Sequence, residues 1–81
     1  MKFEAEKGSI LWQLWADLFL LWKDHGNIHS IGDRADWATA AYIVCEKYEN
    51  TEEWDLCAAQ IGGMMRVITE RLAKEGVIDV G

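Results

Sequence analysis

The sequence predicts an all-α fold, a compact three-helix bundle forming one domain over residues 1–81. Three observations predict it. The chain contains no proline, so nothing forces a stiff turn or breaks a run of helical hydrogen bonds. Apolar residues recur at three- and four-residue spacing in three separate stretches, the period of a helix face rather than of a strand. The stretches are punctuated by Ser9, Asp33 and Thr51 as starts and by Gly26, Asn50 and Gly76 as stops, residue types that satisfy or relax helix ends.

Helix one is expected over about residues 10–24, capped by Ser9 and closed by a left-handed Gly26. Its sequence ILWQLWADLFLLW carries two apolar rows, Leu11, Leu14, Leu18 and Leu21 in one and Trp12, Trp15, Phe19 and Trp22 in the other. The rows lie about 100° apart around a helix and together exceed an ordinary apolar face. Helices two and three can cover one row. The other asks for a partner, so Trp12, Trp15, Phe19 and Trp22 are the candidate oligomer or partner interface.

The loop NIHSIG, residues 27–32, should tuck its two isoleucines inward. Helix two is expected over 34–49, capped by Asp33, with Asp36 in its first turn and Trp37, Ala41, Val44 and Tyr48 as its inner row. Helix three is expected over 52–75. Thr51 caps it, and Trp54, Cys57, Ile61, Met65, Ile68 and Leu72 form its inner row. Gly76 should end it with Val77 folded back on Leu72. Inside it, Gly62-Gly63 follow Ala58-Ala59 by four residues, and two helical glycines cost about 2 kcal/mol against alanine. A close crossing with helix one is the expected reason. A kink or break at Gly62-Gly63, or a ligand or partner backbone lying there, are the alternatives.

The net charge is −6, from 14 acidic and 8 basic side chains. That argues against direct nucleic-acid binding, which needs a positive footprint. Seven of the acids fall within residues 33–55, and Glu46, Glu49, Glu52, Glu53 and Asp55 cluster where helix two meets helix three. Helix-end complementarity and solubility account for such a cluster. The sharper reading makes it a docking face for a basic partner. Two cysteines, Cys45 and Cys57, fall short of a disulfide framework and are read as reduced and buried. No secretory signal is read, and the apolar run of helix one is too short and too polar to span a bilayer. A soluble, cytoplasmic protein is expected.

No cofactor or metal is expected. His25, His29, Cys45 and Cys57 lack the close ligand pairs that zinc sites use. No Ser or Cys stands with a base and an oxyanion turn, and Gly62-Gly63 has neither the spacing nor the basic company of a phosphate loop. An enzyme is not expected.

Trp15, Phe19, Trp22, Lys23 and Gly26, then Trp37, Lys47 and Tyr48, then Val67, Ile68, Glu70, Arg71 and Leu72 give the chain an ordered pattern over about residues 12–72. In it a Trp-rich first helix ends in a Lys-to-Gly turn, a second helix closes in KY, and a third ends in an ExL segment. The pattern resembles small, uncharacterised acidic helical proteins of bacteriophages and mobile elements of Gram-positive bacteria. The resemblance implies a mobile-element origin and carries over no catalytic residue. In size and charge the chain is also similar to anti-CRISPR and other anti-defence proteins. The expected function is therefore a non-enzymatic interaction protein, a homodimer through helix one, that binds and inhibits a host protein or defence nucleoprotein. The alternatives are an oligomeric sponge for a signalling nucleotide, using Arg66, Arg71 and Lys74, and a structural or assembly accessory.

Overall fold

The computed structural model describes residues 9–79. Three helices follow in order: α1, Ile10–His25; α2, Ile31–Tyr48; and α3, Trp54–Lys74. Each touches the other two, with α2 in the middle and the α1–α3 contact the smallest. Among the described residues there is no strand.

Ser9 starts α1 as expected. Its extended backbone turns the hydroxyl onto the Trp12 N–H at 3.1 Å, satisfying one of the orphan donors of a helix start. The other end differs. Gly26 is right-handed, with φ −81°, and its N–H donates to the Trp22 carbonyl at 2.9 Å. The glycine is needed for space instead. A Cβ there would strike the Trp22 carbonyl oxygen and lie 2.8 Å from its indole Cδ2.

Helix α2 begins three residues earlier than expected, because Ser30 and not Asp33 is its cap. The Ser30 hydroxyl accepts from the Asp33 N–H at 3.0 Å, and the Asp33 carboxylate accepts from the His29 N–H at 3.0 Å. The two side chains thus serve the helix start reciprocally. The His29 backbone donor, helped by Ser30, holds the Asp33 carboxyl below its ordinary range despite an opposing contribution from desolvation.

Helix α3 begins two residues later than expected, at Trp54. Thr51 does not cap it. Its hydroxyl donates to the Tyr48 carbonyl at 2.8 Å and accepts from the Glu53 N–H at 3.3 Å, so Thr51 shapes the turn. At the far end Gly76, at φ +74°, supplies the left-handed residue, with Gly76 N–H on Ala73 O and Val77 N–H on Leu72 O. That pair of bonds is a Schellman end. Ile78, rather than the exposed Val77, packs onto the core.

The core has two lobes. Leu21, Ile28, Trp37, Ala41, Ile68 and Leu72 fill one, and Leu14, Leu18, Tyr48 and Cys57 the other. Ile61 and Met64 pack against both. The leucine row of α1 is thus the inner one. Of the loop isoleucines, Ile28 is fully buried, whereas Ile31 opens α2 and is exposed. The expected crossing at the glycine pair is absent. Helix α3 runs unbroken through Gly62 and Gly63, and among the described residues a Cβ at either meets nothing within 4 Å. Turning Cys57, Ile61, Met64, Ile68 and Leu72 inward leaves Ala58, Ala59, Gly62 and Gly63 exposed on the outer face.

Candidate interaction surface

The aromatic row lies outside. Trp12 and Trp15 are exposed, Phe19 is 65% exposed, and Trp22 is half-buried. The cause is the small contact between α1 and α3. With its leucines committed to the core, α1 turns most of its second row away from α2 and α3. The row is anchored at Trp22. Arg71 lies over the Trp22 ring, 5.7 Å from its centroid, and donates to the Gly26 carbonyl at 2.7 Å. On its other side Trp22 walls a shallow hollow with Gln60, Gly63, Met64 and Val67. The aromatic row therefore runs into the open glycine face of α3. A row of large rings exposed together differs from scattered surface hydrophobics, and such patches mark association sites.

The acidic junction lies around the α2–α3 turn. Glu46, Glu49, Glu52 and Asp55 are exposed and Glu53 is half-buried. The Tyr42 hydroxyl donates to Glu46, and that bond, with the charges of Glu46 and Glu49, pushes the Tyr42 pKa up. Beside this cluster a tighter network ties the helices together. Lys47 Nζ donates to Asp17 Oδ2 at 2.9 Å, and the Tyr48 hydroxyl donates to the same oxygen at 2.6 Å. Burial and the Asp17 carboxylate both push the Tyr48 phenol pKa well above its ordinary range.

Cys45 and Cys57, on different helices, meet in a side-chain hydrogen bond, and burial raises the pKa of both thiols. Protonated thiols are weak nucleophiles at neutral pH. His29 lies away from them, its Nδ1 bonded to Glu75 at 2.8 Å and its Nε2 to Asn27 at 2.9 Å. Among the described residues no three His, Cys, Asp or Glu side chains are grouped to hold a metal. Trp37 is a core residue whose indole N–H has no partner among the described residues, and Trp54 is half-buried against the second lobe. Neither is an exposed anchor at the acidic junction.

Of the basic trio on α3, Arg71 is engaged by Gly26 and Trp22. The hollow it shares with Val67 and Lys74 also holds Glu70 and Glu75, a poor lining for a phosphate. No described helix is long and apolar enough to cross a membrane.

Some exposed apolar side chains belong to no row read in the sequence, Leu20 and Ile43 among them. Leu20 on α1 and Ile43 on α2 are 47% and 62% exposed along the furrow between those helices. Only the relative rotation of α1 and α2 brings them to one groove.

Compared with known proteins, the chain matches no family model, no curated protein and no solved structure.

Proposed function

We propose that this chain is a non-enzymatic interaction protein that self-associates through the aromatic row of α1 and binds and inhibits a host protein. One observation carries the reading. Trp12 and Phe19 stand exposed on a helix whose leucine face is already committed to the core. A small domain gains little from leaving large rings in water, and covering them stabilises an assembly by about 25 cal/mol per Å² of apolar surface. A homodimer is the commonest arrangement that covers such a face. The resemblance to phage and mobile-element proteins supplies the setting: the host cytoplasm, with a defence complex as the target class. The negative charge suits a protein partner with a basic surface better than a nucleic acid.

The test pairs capture with inhibition. Immobilised wild-type chain is exposed to host lysate beside Phe19→Lys. A host protein held by the wild type, and inhibited when purified chain is added, supports the reading. Capture without inhibition overturns the inhibitor part. Equal capture by Phe19→Lys overturns the role of the aromatic row.

A further inference from the structure

The furrow between α1 and α2 has an apolar floor and an acidic rim. Ala40 and Val44 lie half-buried along it, and Leu20 and Ile43 stand at its edges. Adjoining hollows meet at His25, between Asp24 of α1 and Asp36 of α2. At one end Asp17 is satisfied by Lys47 and Tyr48. At the other, neither Asp24 nor Asp36 is in an ion pair among the described residues. We propose that this furrow docks a cationic amphipathic helix of a partner protein, with its apolar stripe on Leu20 and Ile43 and its lysines or arginines on Asp24 and Asp36. The groove between two helices accepts a third by its apolar face. The carboxylates select a basic partner, repel acidic ones and speed the encounter. The proposal rests on the reading of the chain as an interaction protein, yet it uses a surface separate from the aromatic row.

The probe is a fluorescein-labelled designed helix with leucines on one face and lysines on the other. A counterpart carries glutamates in place of the lysines. Fluorescence anisotropy should show the lysine helix binding and the glutamate helix not. Ile43→Lys should weaken binding by roughly tenfold or more, with far-UV circular dichroism and sedimentation unchanged. Asp24→Lys with Asp36→Lys should slow association and flatten its salt dependence. Absence of binding, equal binding of both helices, or loss on Phe19→Lys but not on Ile43→Lys overturns the proposal. Sedimentation of the same variants reports self-association separately, so failure of the furrow is distinguishable from failure of the aromatic face.

Discussion

Gly62→Ala and Gly63→Ala put a number on the open face of α3. Both glycines are helical and exposed, neither has positive φ, and among the described residues an added methyl meets nothing within 4 Å. No overpacking offsets the gain in helix propensity, which is about 0.8–1.0 kcal/mol per site. Part of that gain comes from the smaller conformational freedom of the unfolded chain. The sites are adjacent in sequence and share no described contact, so the double variant should gain about 1.5–2 kcal/mol. For a domain of this size that raises Tm by roughly 10 °C. Thermal melts followed by circular dichroism, run dilute enough to hold the chain monomeric, read it directly. Destabilisation by either substitution would refute the reasoning, since it would mean that another part of the chain lies against this face.

Gly26→Ala should behave oppositely and cost about 1–3 kcal/mol by overpacking, because its methyl would collide with Trp22; an unchanged urea midpoint would contradict the close approach. Tyr48→Phe removes a 2.6 Å donor to the Asp17 carboxylate and should cost about 1.5–3 kcal/mol, measured by urea denaturation at neutral pH, with a loss under 0.5 kcal/mol counting against it. Burial, with Cys45 beside it, pushes the Cys57 thiol from 9.0 up to about 11. The folded state therefore holds this proton more tightly than the unfolded one, so the contribution is complete below pH 9 and is lost as pH rises from 9 to 11. Urea midpoints should fall across that interval, less steeply in Cys57→Ala, and identical slopes in the two proteins would contradict it.

The parts of this fold that a period alone determines were legible in the sequence. Ser9 and the leucine row of α1 needed only the three- and four-residue spacing and a capping side chain. The exposed aromatic row followed from counting how many faces two further helices can cover. What required the third dimension was misread or missed. Ser30 and Asp33 are both capping residue types, three positions apart, and the sequence does not say which one caps and which reaches back. The glycine pair looked like a close crossing because small residues spaced by four permit one. Whether they meet a neighbour depends on the rotation of α3 about its axis, which its Cys57, Ile61 and Ile68 face decides. The same holds for the furrow: Leu20 and Ile43 come from no common stripe and share a groove only after α1 and α2 have packed. The acidic junction was legible as a cluster. Its neighbour Asp17, which lies inside the apolar run of helix one, is the residue that ties α1 to the end of α2.

The central claim is that α1 carries one apolar face more than α2 and α3 cover, and sedimentation equilibrium tests it most directly. At micromolar concentration the wild type should sediment at about twice the chain mass of 9.3 kDa. Phe19→Lys, which places a charge at the most exposed ring of the row, should sediment as a folded monomer. A monomeric wild type, or a dimer that survives Phe19→Lys, would contradict the account.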